Sequence, residues 1–289
     1  MTSDATHIQS ARAETDAGPE RLRNLVIGAR LVLWGFDGPV CRLFAGHAAE
    51  RVSADLLRWL EGRGLRGLPA EAGRVAPDPR AEPEAPDPRA EAGRVAPDPR
   101  AEPGREAPDP RAEPGREAPD PQAVLRAAHR RRPGGDLIAQ LEERLTQEEL
   151  RAAASAMPAA YADPLIRTWT AVGARQAVVT DRSPRAVRAY LAGRGLLACF
   201  EPRIYGRTPD AHRLAPDPHR LDRALHATGA VPSTTLVIGD TPAAVAAARE
   251  AGVGFLGYAR AERKAEALRR AGAPVVIRSL EPVLRLLRE

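Results

Sequence analysis

From residue 177 to the C-terminus, short apolar runs alternate with stretches of helical period, and that rhythm admits few folds. Ala177-Val178-Val179, Thr235-Leu236-Val237-Ile238, Gly254 to Gly257 and Pro274 to Ile277 read as strands. Between and after them, Ser183 to Arg194, Asp217 to Thr228, Thr241 to Ala251, Ala261 to Ala271 and Leu280 to Leu287 read as helices. Ser183 with Pro184, and Asp217 with Pro218, give the N-cap and first-turn residues that start two of them. An earlier run, Leu31-Val32-Leu33-Trp34, supplies one more strand. No hairpin turn joins any two strands, so the expectation is a doubly wound α/β fold, a parallel sheet covered on both faces. In such sheets ligands sit beyond the C-terminal strand ends, which makes the residues just after each strand the ones to inspect.

The rest of the chain divides by composition. Residues 1–29 are polar and read as a disordered leader. The α/β core is assigned to 30–46 and 160–289, and a helical cap to 47–159. Within that cap, His47 to Glu61, Gln122 to Arg131, Asp136 to Leu145 and Thr146 to Ala156 are predicted helices, the last opened by Thr146 and Glu149 as a capping box. Asp163 to Val172 is a further helix. Residues 71–121 interrupt the cap: Glu71 to Pro83 recurs letter for letter as Glu91 to Pro103, and Ala-Pro-Asp-Pro starts at Ala76, Ala85, Ala96, Ala107 and Ala118. Prolines at that density remove amide donors and fix φ, and the segment has little apolar surface to bury. It reads as a disordered, partly polyproline-II insertion expanded by tandem duplication.

Composition narrows the function classes. The net charge is +5, but the cations are arginines interspersed with Asp and Glu, Lys264 being the single lysine. No basic stripe interleaved with aromatics is present, so nucleic-acid binding is not expected. Neither a long apolar run nor a basic start followed by an apolar stretch occurs, and Cys41 and Cys199 are too few for a disulfide framework or a metal cluster. A soluble, cytoplasmic protein is expected. His47, His129, His212, His219 and His226 show no metal-ligand spacing and read as surface residues.

Four segments stand at or near strand ends: Trp34-Gly35-Phe36-Asp37-Gly38, Thr180-Asp181-Arg182-Ser183, His212-Arg213-Leu214-Ala215-Pro216-Asp217-Pro218, and Gly239-Asp240-Thr241-Pro242-Ala243-Ala244. In this order and at these spacings they resemble the four motifs of the haloacid-dehalogenase superfamily of aspartate-dependent phosphatases, over about residues 30–289. The resemblance implies a first-motif Asp that attacks phosphorus and a second, two residues on, that protonates the leaving group. It further implies a Thr or Ser that binds phosphoryl oxygens, a Lys that steadies charge, and acidic groups that hold Mg²⁺.

Carried over residue by residue, that pattern is incomplete. The nucleophile position is Gly35, which has no side chain, while Asp37 matches the general acid/base and, through its carbonyl, a metal ligand. Thr180 matches the phosphate-binding hydroxyl, with Asp181 beside it more suited to capping the next helix. The lysine position is Ala215; Arg213 or Arg207 could supply charge there, whereas Lys264, in a helix after the fourth motif, is not expected to. Asp240 is retained as a metal carboxylate, and the second acidic position of that motif is Ala244. Arg42, beside the first motif, is a candidate for substrate contact. The resemblance and its gaps together imply a phosphatase-like chain with lost or much reduced catalysis, weakened or absent Mg²⁺, and a small phosphorylated metabolite as partner; the alternatives are a non-catalytic phosphate- or protein-binding pseudophosphatase and an interaction protein acting through the Pro-rich insertion.

Overall fold

The structure, a computed structural model, describes residues 18–45, 49–68, 120–209 and 213–289. The strands in chain order are β1 (Leu31–Trp34), β2 (Cys41–Arg42), β3 (Met157–Pro158), β4 (Arg175–Val179), β5 (Ile204–Tyr205), β6 (Thr235–Gly239), β7 (Gly254–Tyr258) and β8 (Val275–Ile277). Six form one sheet in the order β5-β4-β1-β6-β7-β8, every pairing parallel; β2 and β3 form a small antiparallel pair beside it.

The helices are α1 (18–27), α2 (Ala49–Glu61), α3 (Pro121–Arg131), α4 (Gly135–Ser155), α5 (Ala162–Ala171), α6 (Pro184–Gly193), α7 (Leu197–Phe200), α8 (His219–Thr228), α9 (Pro242–Glu250), α10 (Glu262–Arg270) and α11 (Glu281–Leu286). The doubly wound α/β architecture expected from the alternation is the one that forms. None of the described helices is long and apolar enough to cross a membrane.

The central strands are apolar throughout because both faces are covered. Successive side chains point to opposite faces. Leu31, Leu33, Ala177, Val179 and Val237 therefore enter one apolar cluster, and Val32, Trp34, Val178, Leu236 and Ile238 the other. Trp34 packs edge-on against Trp169 at 5.6 Å between ring centroids, and its indole donates to Gln176 Oε1 at 2.9 Å, which satisfies both polar groups inside the core. The chain runs from β1 through β4 to β5 on one side, then crosses back to put β6 on the other side of β1. The C-terminal ends of β4, β1 and β6 therefore flank the point where the winding reverses, where an open sheet of this kind offers a crevice.

Three details of the sequence reading are corrected. Residues 18–28 of the assigned leader are ordered: α1 buries Leu22 and Val26 in the core, with Leu25 packed against it, at helical spacing within a short polar context. Residues 1–17 and all of the repeat except Asp120 and Pro121 lie outside the described residues; Pro121 opens α3, its missing amide costing nothing in a first turn. The two helices expected at 136–145 and 146–156 are one helix, α4, whose buried face (Ile138, Leu141, Leu145, Glu149, Ala152) continues through the presumed boundary.

Thr146 and Glu149 consequently serve a tertiary purpose rather than a capping box. Helices α2, α3 and α4 share an apolar cluster of their own, closed by Leu214, and α4 also lies against α6. Into that seam projects Arg207, from the loop after β5. Its guanidinium donates to Glu142 at 2.8 Å, to Glu149 at 2.9 Å, to Thr146 Oγ1 at 3.1 Å and to the Asp181 carbonyl at 3.1 Å. The side chains of both Arg207 and Glu149 are 0% exposed. Removing the guanidinium strands a carboxylate in a dry interior, so Arg207→Ala is expected to lower unfolding free energy by about 3–5 kcal/mol in urea denaturation. A change near zero would show that the network carries little of the packing between α4 and the sheet.

Candidate functional site

Each sequence motif reaches the same crevice. Gly35 follows β1 and donates its amide to the Ile238 carbonyl of β6 at 2.8 Å. A Cβ at position 35 would stand 3.1 Å from that oxygen, so even the first atom of a side chain needs the β6 end to yield by a few tenths of an ångström. Gly38 is held at φ +102°, and a Cβ there would overlap the Asp240 carboxylate. The first and fourth motifs are thus pressed together, and position 38 admits only glycine.

Asp37 has both oxygens engaged. Oδ1 accepts from the Leu43 amide at 3.1 Å, and Oδ2 accepts from Arg182 Nη2 at 2.9 Å. Arg182 is almost wholly buried, with Asp120 at 3.6 Å and Glu149 at 3.8 Å as further counter-ions. Burial opposes its charge, but Asp37, Asp120, Glu149 and Asp181 outweigh that and hold the guanidinium further above its ordinary range. Thr180, at the buried end of β4, accepts the Arg182 amide on Oγ1 at 3.1 Å and keeps its hydroxyl hydrogen to donate.

Asp181 does not cap the following helix. Ser183 does, accepting from the Arg185 amide, while Asp181 pairs with Arg220 at 2.7 Å and accepts the Ala215 amide at 3.2 Å. Neither arginine offered for the lysine position pairs with Asp37. Arg207 is committed to Glu142 and Glu149, and Arg213 is exposed with Nη1 2.9 Å from His219 Nδ1. Arg42 is exposed and donates to Met157 Sδ at 3.2 Å. His129 is buried in α3 rather than on the surface, because its helix packs on both α2 and α4. His47 and His212 lie outside the described residues.

The three incomplete positions meet. Gly35, Ala215 and Ala244 line one small cavity of about 60 Å³ together with Val179, Val237 and Ala247. The space between them is an apolar void with Asp217 and Arg220 at its edge. A larger hollow, about 320 Å³ and lined by Arg21, Asn24 and Thr234 among others, opens at the opposite, N-terminal end of the strands and lies away from all four motifs.

Asp240 closes the site. It follows β6, while Thr241 caps α9 by accepting the Ala244 amide at 3.2 Å. Its Oδ2 accepts from Lys264 Nζ. Burial pushes the Asp240 carboxyl above its ordinary range; Lys264 offsets part of that and Asp37 adds to it. The expectation that Lys264 stands apart from the motifs is therefore corrected. Strand β7 pairs with β6 in register (Gly239 opposite Gly257), so α10, which follows β7, returns over the same sheet edge and sets Lys264 in its first turn beside Asp240.

Magnesium does not fit these residues. It wants near-octahedral oxygen ligands, yet Asp37 and Asp240 already carry Arg182 and Lys264, and Gly35 and Ala244 offer no oxygen on a side chain. Among the described residues no group of three or more His, Cys, Asp or Glu could hold a metal ion.

Residues 122–252, which contain the second, third and fourth motifs, match the family model of haloacid dehalogenase-like hydrolases. The fold is similar to that of CbbY from Rhodobacter sphaeroides in complex with phosphate (16% identity, 90% of this chain and 100% of that one, TM-score 0.58). It is likewise similar to a predicted phosphatase from Clostridium acetobutylicum (14% identity, 89% and 97%, TM-score 0.55). A variant of the Rhodobacter protein in complex with xylulose-(1,5)bisphosphate also matches (16% identity, 87% and 94%, TM-score 0.55). No curated protein sequence matches the chain. Residues 122–252 are thus similar in sequence to the haloacid dehalogenase-like hydrolases, and the chain shares its fold with these solved structures.

Cys41 offers a probe of how closed this end is. It is fully buried, and burial together with Asp37 pushes its thiol far up. Cys199 is half-buried. In mildly alkaline buffer Cys199 is expected to react with a thiol reagent while Cys41 stays inert until the chain is unfolded. Equal rates for the two in the native state would contradict the burial of the first motif.

Proposed function

We propose that this chain descends from a Mg²⁺-dependent phosphatase, has lost the phosphoryl-transfer step, and binds a small phosphorylated ligand without hydrolysing it. The observation that carries this is the shared cavity: Gly35, Ala215 and Ala244 are three losses in one place. An aspartyl nucleophile at position 35 would bury a carboxylate that needs a neighbouring ammonium and a cation. With alanines at 215 and 244, neither partner is there, and the uncompensated charge would be costly. The three substitutions are mutually consistent.

Asp37 does not fill the gap as nucleophile. Its two oxygens accept from Arg182 and from the Leu43 amide, which fixes the carboxylate and draws off the electron density an attack on phosphorus requires. The groups that remain suit binding. Thr180 presents a hydroxyl hydrogen at the end of β4, and the Ser183-Pro184 start of α6 follows directly. The phosphate and the bisphosphate held by the similar structures belong to those proteins, and they support the ligand class offered here.

The test compares phosphate release from a generic aryl phosphate in excess Mg²⁺ with phosphate binding. Turnover is expected to equal that of buffer alone, because removing the nucleophile of a catalytic unit costs on the order of 10⁶ in rate. Excess inorganic phosphate is expected to raise the thermal midpoint by mass action. Hydrolysis at ordinary enzymatic rates, abolished by Asp37→Asn, would overturn the loss of catalysis.

A further inference from the structure

We propose that Lys264 takes the place of a divalent cation beside Asp240, as Arg182 does beside Asp37, so that this site receives an anion with no metal present. The identity of the anion rests on the functional reading above; the exclusion of metal does not.

Charge balance comes first. Asp37 and Asp240 face each other across the ends of β1 and β6, and each is paired directly with a cation of the chain itself. A Mg²⁺ ion arriving there meets a site already neutral. To coordinate Asp240 it must displace an ammonium, and to coordinate Asp37 it must displace a guanidinium that Asp120 and Glu149 also hold. The third carboxylate that would tip the balance toward a dication is the methyl group of Ala244.

The chemistry of the substitute matters as well. An ammonium is a compact, strongly hydrated point charge, closer to a metal ion than the planar, delocalised guanidinium is. Lys264 is the single lysine among 43 basic residues, and it is the one set against Asp240. The same oxygen, Oδ2, lies against Gly38, where a side chain would overlap it. The carboxylate is thus pinned between backbone and ammonium. Beyond the two pairs, Arg42 and Arg260 act together with Lys264 on the Tyr258 phenol and lower it against the rise that burial causes. Both arginines are exposed, so positive charge in excess of the internal pairs stands at the mouth, where an anionic ligand enters.

A single lysine makes the pair directly observable. Reductive ¹³C-methylation of the full chain gives one side-chain dimethyl-lysine resonance, distinct from that of the α-amine. This resonance is expected to shift in Asp240→Asn and to stay unmoved by Mg²⁺ in millimolar excess. No shift in Asp240→Asn, or a Mg²⁺-dependent displacement in the unmodified sequence, overturns the proposal.

Calorimetry with Mg²⁺ alone supplies the second arm. The natural chain is expected to show no binding, and Lys264→Met, a neutral side chain of similar length at a half-exposed position, to bind roughly tenfold or more tightly than it. Equal behaviour of the two, whether both bind or neither does, also overturns the proposal. Inorganic phosphate titrated in the presence of a chelator separates the two readings: absence of phosphate binding sinks the ligand assignment while the magnesium results still decide the role of Lys264.

Discussion

A carboxylate with no exposure to solvent, that of Glu149, holds this molecule together. It accepts from Arg207 at 2.9 Å, from Gln122 at 2.7 Å and from the Ser183 amide at 2.8 Å, and it stands 3.8 Å from Arg182. Four segments converge on it: α3, α4, the start of α6 and the loop after β5. In a dry interior such a group is tolerated only if every partner is in place. That requirement fixes α4 against the sheet and, through Arg182, reaches Asp37 in the first motif. The helical layer and the crevice are parts of one charge network.

Such a network holds the crevice in shape without a metal ion. Arg182 draws Asp37 and Glu149 together, and Lys264 pairs with Asp240 at the end of β6. The cavity between the motifs is apolar, with Gly35, Ala215 and Ala244 beside Val179, Val237 and Ala247. The buried carboxylates of Asp37, Glu149 and Asp240 each have a cation of the chain beside them, and that is the arrangement low dielectric demands. A partial loss, keeping the nucleophile without its lysine, would leave a buried charge exposed to none of these compensations.

The sheet was legible in the sequence because parallel strands buried on both faces read as continuous apolar runs: Leu31 to Trp34 and Thr235 to Ile238 are unmistakable. Edge strand β5, two residues long, carries no such signal. The four motifs could be located because each follows a strand or a turn at a characteristic place. Arg182 and Lys264 escaped for different reasons. Arg182 stands inside the second motif, and its sign in a chain crowded with arginines told nothing of its burial. Lys264 is 24 residues from Asp240, and only the in-register pairing of β6 with β7 brings α10 back to it. Thr146 and Glu149 match a capping box by spacing, yet the helix continues through them because their side chains face Arg207 rather than a free helix end.

The most direct test of internal charge pairing is crystallographic. Crystals of the unmodified chain, equilibrated with manganese and inorganic phosphate, would be measured at a wavelength where manganese scatters anomalously. Internal pairing predicts no anomalous peak within coordinating distance of Asp37 or Asp240, with Arg182 and Lys264 still in contact with them and phosphate density near Thr180. A metal peak bridging the two aspartates, with Lys264 swung away, would contradict it.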